Sequence, residues 1–183
     1  MVKVLEGKIS RSDLTIIDKE ILDNTHFPWY WLEKPVTEEY PCMSHVIIPR
    51  YNYQTNEGFV INSSCFDFFK SIFNKFCKSK KIKVNRILRA QLNLTWNFKG
   101  VYSVPHVDHN FKHKICIMYL NDCTEGSTFL FKEKHPLVKG KNIAKEIKSK
   151  KGKIVIFPGE NLHASGFPKK ENERRVICII SFD

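Results

Sequence analysis

The sequence predicts a mainly β fold with flanking helices, an α+β domain built on an antiparallel sandwich or jelly roll. From residue 83 onward, apolar and polar residues fall into short segments with the partial alternation of strands. Turn-forming residues cluster between these segments. No clear helical pattern separates them, as it would in an alternating α/β fold.

The predicted strands and turns of this part of the chain follow one another regularly. The strands cover residues 86–94, 114–121, 127–132, 153–157 and 174–182. The turns cover residues 97–100, 122–126, 136–142, 158–159 and 168–172. We therefore assign residues 83–183 to the jelly-roll core.

Residues 1–82 are predicted to supply short strands and a supporting helix. A strand-like pattern in residues 4–23 is clearest over Leu14-Thr15-Ile16-Ile17. The aromatic cluster at 26–31 contains a proline and predicts a packed approach to the domain. Residues 58–62 are predicted to form a loop that leads into the helix.

The helix is predicted over residues 64–78. Asn62 or Ser63 is a suitable N-cap. Apolar residues then recur at helical spacing, which predicts a face that packs against the outside of a sheet. These residues are Phe66, Phe69, Ile72, Phe73 and Phe76.

Length and composition indicate a single domain spanning residues 1–183. A chain of 183 residues, 42% of them hydrophobic, can bury a substantial core. No segment approaches the roughly 20 consecutive apolar residues of a membrane span. Residues 1–10 lack the apolar centre of a signal peptide. We therefore expect an intracellular, cytoplasmic protein with no membrane partner.

The six cysteines form no C-x-x-C pair and have no regular spacing. They are Cys42, Cys65, Cys77, Cys116, Cys123 and Cys178. Several lie inside apolar runs, so we interpret them as small buried hydrophobic residues in a reducing compartment. The pattern disfavours a zinc or disulfide framework.

The formal net charge of +11 raises the question of a nucleic-acid partner. Only six of the 30 basic residues are arginine, and no aromatic residues interleave with the lysines in the way that stacks bases. A solvated basic surface is the favoured interpretation, and the charge keeps nucleic acid open as a partner.

The most informative functional pattern consists of two histidines and a carboxylate. In an extended chain residues i and i+2 point to the same side, so His106 and Asp108 can bind one metal ion. His163 follows a predicted strand that ends in a proline turn. Two histidines and one carboxylate form the facial site of non-haem Fe(II) oxygenases. We predict that His106, Asp108 and His163 are the metal ligands and the catalytic centre.

Two adjacent arginines, Arg174 and Arg175, open the last predicted strand. A dicarboxylic cosubstrate that chelates iron through its 2-oxo acid end needs a cationic anchor for its second carboxylate, and arginine provides a bidentate one. Adjacent residues of a strand point to opposite faces, so at most one of the two can reach the pocket. Both remain candidates, with Arg175 preferred.

Other chemistries have less support in the sequence. His109 and His113 could suggest a zinc pair, but the residues between them give no helical context and no acidic base. Ser165 lacks a nucleophile-elbow motif. We interpret His26, His45 and His135 as structural or exposed.

Taken together, these segments resemble the Fe(II)- and 2-oxoglutarate-dependent oxygenases, and more narrowly their prolyl 4-hydroxylase-like branch with small phage, viral and bacterial members. In that family a Tyr-Leu-Asn strand, a glycine turn, a distal histidine and a basic anchor follow the H-x-D motif in this order. The chain differs in having a Gly-Ser turn where Gly-Gly is usual, and in its doubled arginine. The matching segments are 102–108, 116–121, 125–129, 152–158 with His163, and 174–177.

The resemblance implies a double-stranded β-helix with the metal at one mouth. It matches the three predicted ligands to the family's iron ligands, and Tyr119 to a tyrosine whose hydroxyl binds the distal carboxylate of 2-oxoglutarate beside Arg174 or Arg175. It implies Fe(II), 2-oxoglutarate as cosubstrate, O2, and ascorbate as an optional reductant. The implied reaction is hydroxylation of a substrate C–H bond with release of succinate and CO2.

By family analogy the substrate is a protein or peptide side chain such as proline. One alternative is a nucleic-acid oxidative demethylase, which the net charge favours but for which no base-flipping lid is identified. Another alternative is a non-catalytic β-sandwich binding module. The complete ligand set and the arginines that follow it argue against that alternative.

Overall fold

The computed structural model describes residues 2–37, 39–50, 60–133 and 142–183, which form two antiparallel sheets and two α-helices. The helices are α1 (Arg11–Ile17), which continues into a π-helical turn at Asp18–Leu22, and α2 (Phe66–Ser79). The strands are β1 (Leu5–Lys8), β2 (Tyr30–Leu32), β3 (Cys42–Ile48), β4 (Ile87–Trp96), β5 (Lys114–Tyr119), β6 (Thr128–Phe131), β7 (Ile143–Ile147), β8 (Lys153–Pro158), β9 (His163–Ser165) and β10 (Arg174–Phe182).

The larger sheet has seven strands in the order β1-β8-β5-β10-β4-β3-β2, and the smaller sheet has three in the order β7-β6-β9. Each strand pairing is antiparallel. The predicted antiparallel jelly roll with flanking helices is thereby confirmed. All five strands predicted in the second half of the chain are present.

Strand β10 shows how the larger sheet separates two environments. Val176, Cys178 and Ile180 belong to the core that contains the buried residues of α1 and α2. Ile177 and Ile179, which alternate with them, belong to a second core that includes Leu130 of the smaller sheet. Because side chains alternate along a strand, the helices cover one face of the larger sheet and the smaller sheet covers the other.

The predicted aromatic stripe of α2 is confirmed as a buried face. The helix begins at Phe66, and its N-cap is Cys65 rather than the predicted Asn62 or Ser63. Ser63 still serves the start of the helix, because its Oγ accepts a hydrogen bond of 3.1 Å from the Cys65 amide. The same hydroxyl lies 2.6 Å from Nε2 of His45, which is a buried structural histidine as predicted.

The prediction of a strand over Leu14-Thr15-Ile16-Ile17 is wrong, because these residues lie in α1. The β-branched run favoured a strand. The Ser10 side chain, however, caps the helix by accepting a hydrogen bond of 3.1 Å from the Asp13 amide. Leu14, Ile17 and Ile21 then face the core at helical spacing. The prediction of a short strand in this region holds only for β1.

The aromatic cluster at 26–31 divides into a buried and an exposed part. Phe27 is buried and packs against Trp29 and His45, as expected for a packed approach. Tyr30 and Trp31 lie on the edge strand β2 and are 64% and 60% exposed.

Strand β7 was not predicted, because it lies in a lysine-rich stretch with little alternation. Most of the predicted turn at 136–142, part of the loop at 58–62, and His135 lie outside the described residues.

All six cysteines are free. Cys42, Cys77, Cys116 and Cys178 are buried, as predicted, and the other two are partly exposed. In the described part of the chain, no helix is both long and apolar enough to cross a membrane.

Candidate metal centre and anion pocket

The backbone places the two predicted histidine ligands side by side in one antiparallel bridge. His106 N donates to His163 O at 3.0 Å, and His163 N donates to His106 O at 2.9 Å. The pair is an isolated antiparallel bridge next to β9. Residues bonded in this way project their side chains to the same side. The two imidazole rings accordingly lie with their centroids 4.6 Å apart.

The same local contact orients each imidazole. Nδ1 of His106 lies 3.0 Å from Val104 O, and Nδ1 of His163 lies 3.1 Å from Asn161 O. A carbonyl can only accept, so Nδ1 carries the proton in the neutral ring and Nε2 keeps its lone pair. Nε2 of His163 is buried and has no hydrogen-bond partner among the described residues. Such an orphaned acceptor is expected where a metal ion binds.

Asp108 completes the cluster. Its side chain is 1% exposed, and Oδ2 accepts a hydrogen bond of 3.1 Å from Ser181 Oγ on β10. Oδ1 lies 3.9 Å from Nε2 of His106, 3.4 Å from Nη1 of Arg89 and 3.7 Å from Nη2 of Arg50. Oδ1 is therefore the oxygen that faces the histidines, while Ser181 fixes the carboxylate plane.

The electrostatics of the cluster keep its three groups in the protonation states that bind metal. Burial alone would raise the pKa of Asp108, but the Arg89 guanidinium, the two histidines and Arg50 together hold that pKa well below its usual range. Burial lowers the pKa of His163 to about 4, and it also lowers the pKa of His106. At neutral pH the site offers two neutral imidazoles and one carboxylate.

The donor set fits a divalent transition metal. One nitrogen of each histidine and one oxygen of Asp108 all lie within 4.8 Å of one another, and among the described residues no other group of three such side chains is present. Two imidazole nitrogens and one carboxylate oxygen are typical of non-haem Fe(II) centres with open coordination positions. The structure thus brings the three predicted ligands together.

Arg175 and Arg174 point in opposite directions, as the strand alternation requires. Arg175 is 1% exposed and donates to Gly126 O at 2.6 Å, Ser165 Oγ at 2.9 Å and Thr128 Oγ1 at 2.9 Å. Arg174 is exposed on the other face, and its Nη2 donates to Leu22 O at 2.7 Å. Of the two arginines, only Arg175 lines the cavity that contains the metal cluster.

Arg175 is a buried cation without an anionic partner among the described side chains. Its hydrogen bonds go to neutral oxygens, and no described carboxylate forms an ion pair with it. Burial lowers the pKa of Arg175, although a guanidinium still remains protonated. An unpaired buried charge is costly, so the arrangement suits a ligand that brings a carboxylate.

Tyr119 lies next to the buried Arg175 side chain. Tyr119 is fully buried, and its hydroxyl donates to Thr128 Oγ1 at 2.7 Å. The Arg175 guanidinium carbon lies 5.6 Å from the centroid of the Tyr119 ring. Thr128 thus accepts hydrogen bonds from both Tyr119 and Arg175 and keeps its own hydroxyl proton for a further acceptor. Tyr119 thus contacts the cavity wall through Thr128, which itself lines the cavity.

A cavity of about 360 Å³ contains both the metal cluster and the Arg175 pocket. Between them the walls are apolar and include Ile117, Ile177 and Ile179 of the larger sheet. Several polar residues of this cavity and its surroundings were not predicted from the sequence. These residues are Arg50, Arg89, Thr128, Ser165 and Ser181.

The place of Arg89 in the cavity could have been predicted from the sequence. Polar residues at 89, 91, 93 and 95 alternate with apolar residues at 88, 90, 92 and 94. Within a buried central strand this pattern indicates a polar inner face.

His109 and His113 lie outside the metal cluster. Their rings pack against each other with centroids 4.9 Å apart, and each Nε2 is buried without a hydrogen-bond partner in the part of the chain that the structure describes. A Cβ at position 159 would lie 2.1 Å from Nε2 of His113, so this ring packs directly on the Gly159 backbone. Among the described residues, no third side chain lies close enough to His109 and His113 to complete a zinc site.

Sequence comparison finds no match, since neither a protein-family model nor any curated protein matches the chain. Comparison of structures finds many similar folds. An oxidoreductase of the 2OG-Fe(II) oxygenase family from Burkholderia pseudomallei has 13% identity and a TM-score of 0.67, over 98% of this chain and 85% of that one.

Two further structures show the range of proteins that share this fold. The non-haem α-ketoglutarate-dependent epimerase SnoN from nogalamycin biosynthesis has 10% identity and a TM-score of 0.67, over 99% of this chain and 78% of that one. A prolyl hydroxylase from Trichoplax adhaerens, in complex with a peptide fragment of the hypoxia inducible factor oxygen degradation domain, has 13% identity and a TM-score of 0.61. The match covers 99% of this chain and 83% of that one. The chain therefore has the fold of the 2OG-Fe(II) oxygenases.

Proposed function

We propose that this protein is an Fe(II)- and 2-oxoglutarate-dependent oxygenase that hydroxylates a C–H bond of its substrate. One observation carries the proposal. A single cavity contains the cluster of His106, Asp108 and His163, with the orphaned Nε2 of His163, and the buried, unpaired Arg175. A metal ion satisfies the first feature, and the distal carboxylate of a 2-oxo diacid satisfies the second.

The residues of the chain have distinct tasks in this proposal. His106 and His163 present Nε2 lone pairs because Val104 O and Asn161 O hold the Nδ1 protons. Asp108 presents Oδ1 because Ser181 occupies Oδ2. These three side chains would hold Fe(II), and the cavity beside them would admit the 2-oxo acid end of the cosubstrate.

At the other end of the cosubstrate, Arg175 and the free hydroxyl proton of Thr128 would hold the distal carboxylate. The isoleucines between the two ends would exclude water from the reacting groups. When bound, Fe(II) with 2-oxoglutarate and O2 supplies the oxidising chemistry, in which 2-oxoglutarate becomes succinate and CO2 and one oxygen atom enters the substrate.

The proposed substrate is a protein or peptide side chain such as proline. The structural similarity to a prolyl hydroxylase in complex with a peptide fragment supports the proposal that this protein acts on a peptide. An epimerase shares this fold, and the experiment below therefore tests the substrate class as well as the reaction. Oxidative demethylation of nucleic acid remains a prediction that stands only on the net charge of +11.

The test begins without any substrate. Protein loaded anaerobically with Fe(II) and then exposed to O2 should convert 2-oxoglutarate to succinate, with ascorbate sustaining the turnover. His106→Ala should abolish this reaction. If the wild-type protein neither forms succinate nor binds 2-oxoglutarate, the proposal is wrong and the binding-module alternative replaces it. Stimulation of turnover by proline-containing peptides would support the proposed substrate class, whereas stimulation by DNA or RNA alone would contradict it.

A further inference from the structure

The described lining of the cavity has a large excess of positive charge. It contains one carboxylate, Asp108, and four cationic side chains. The cations are Lys34, Arg50, Arg89 and Arg175. The proposed function gives Arg175 an anionic ligand and Asp108 a metal ion, and it assigns no ligand to the other cations.

Arg89 is the most informative of these cations. It lies on β4, and only 9% of its surface is exposed. Its sole described ionic contact is the 3.4 Å approach of Nη1 to Oδ1 of Asp108. It donates no hydrogen bond to any described residue, and its Nε is buried without a partner. A nearly buried guanidinium with unused donors is costly unless a ligand accepts its hydrogen bonds.

Arg50 lies beside Arg89 at the mouth of the cavity. Its side chain is 48% exposed, and its Nη2 lies 3.7 Å from Oδ1 of Asp108. Its Nη1 donates to the backbone oxygen of Asp108. The positive charge of Arg89 lowers the pKa of Arg50, after the larger effect of burial, so the two guanidinium groups repel each other.

A single carboxylate cannot serve both arginines and also a metal ion. This step rests on the proposed function. With metal and cosubstrate bound, the two charges of the metal and that of Arg175 balance Asp108 and the two carboxylates of 2-oxoglutarate. Arg50 and Arg89 then retain two positive charges next to the metal with no counter-charge among the described residues of the cavity.

We propose that the substrate of this site carries an oxyanion, a carboxylate or a phosphate, which Arg89 and Arg50 bind beside the metal. Arginine presents planar, paired donors that match both groups. The polar inner face of β4 continues from Arg89 through Gln91 and Asn93 to Thr95, whose buried Oγ1 has no hydrogen-bond partner in the described ranges. This row supplies further polar contacts for the part of the substrate that follows the oxyanion.

The test measures anion binding near the metal rather than turnover. The protein is loaded with Mn(II), a redox-silent divalent ion, and saturated with 2-oxoglutarate so that Arg175 is occupied. Inorganic phosphate and carboxyl-labelled N-acetylglycine are the two probes, each followed by NMR relaxation, which Mn(II) enhances only for nuclei held close to it. Electron paramagnetic resonance measures Mn(II) binding separately.

Three variants are compared with the wild type. Arg89→Met and Arg50→Met each remove one proposed anion contact. Arg11→Met changes the net charge by the same amount on α1, outside the cavity, and serves as the matched control. If Arg89→Met fails to fold, as judged by circular dichroism, the dissociation constant measured for Arg50→Met, at a half-exposed position, tests the proposal alone.

The proposal predicts saturable relaxation enhancement for at least one probe in the wild type. The apparent dissociation constant should rise about tenfold or more in Arg89→Met and Arg50→Met and stay unchanged in Arg11→Met. The probe that binds assigns the oxyanion as carboxylate or phosphate. Binding that is unaffected by both cavity variants, or no saturable binding of either probe, overturns the proposal.

Failure of the proposed function gives a different result. If the wild type does not bind Mn(II), the metal site is wrong and the oxyanion proposal falls with it. If Mn(II) binds but neither anion does, only the oxyanion proposal is overturned.

Discussion

Replacement of Arg175 by glutamine tests the cosubstrate anchor most directly. A guanidinium has five N–H donors. Three donate to Gly126 O, Ser165 Oγ and Thr128 Oγ1, through Nε, Nη1 and Nη2 respectively. One N–H on each of Nη1 and Nη2 therefore remains for an incoming carboxylate, which suits a bidentate contact.

The size of the effect follows from these two donors. A hydrogen bond to a charged group contributes about 1.5–3 kcal/mol, so loss of two such contacts should cost about 3 kcal/mol or more. The dissociation constant of 2-oxoglutarate should rise about 100-fold or more. The affinity for the metal should hardly change, because Arg175 makes no described contact with any of the three metal ligands.

The assay is anaerobic calorimetric titration of the metal-loaded protein with 2-oxoglutarate. Arg174→Gln is the matched control, because Arg174 is the adjacent residue and its side chain binds Leu22 O on the opposite face. The control should change the dissociation constant less than about twofold. Equal and small changes in two folded variants would show that neither arginine anchors the cosubstrate.

Three further predictions concern the metal centre and the turn beneath Arg175. His163→Ala should weaken Mn(II) binding at least about 100-fold in a paramagnetic-resonance titration, because the unpaired Nε2 is lost. Unchanged Mn(II) binding would show that His163 is not a metal ligand. Asp108→Ala should abolish formation of succinate while the circular dichroism spectrum is retained, and continued turnover would refute the three-ligand site. Gly126→Ala should lower the free energy of unfolding by about 2 kcal/mol, because Gly126 has φ +26° and a Cβ would lie 2.3 Å from Cys123 Sγ. The same substitution should weaken 2-oxoglutarate binding, because the Cβ would lie 3.2 Å from Arg175 Cδ. Thermal melting and titration measure these two effects, and a normal melting temperature would show that the turn can relax.

Much of the candidate site could be predicted because its main residues lie on regular strands or next to them. The i, i+2 spacing of His106 and Asp108 and the alternation at Arg174 and Arg175 depend only on local extended geometry. That geometry is retained in the structure, which places Arg175 in the cavity and Arg174 outside it.

The remaining parts of the site depend on contacts that are distant in sequence. Ser181 reaches Asp108 across 73 positions, and Arg50 reaches it across 58. No local pattern reports such contacts. For Leu14 to Ile17, β-branched side chains favoured a strand locally, but the Ser10 cap and burial against the sheet favoured the helix.

The three candidate ligands belong to different parts of the sandwich. His163 lies on β9 of the smaller sheet, whereas Asp108 is tied through Ser181 to β10 of the larger sheet. A metal ion held by both would join the two sheets at one end, so the sheets could not separate there without breaking a coordination bond. Amide hydrogen exchange in β9 and at the end of β10 should then slow when metal is added and quicken with a chelator, while exchange in α2 stays the same.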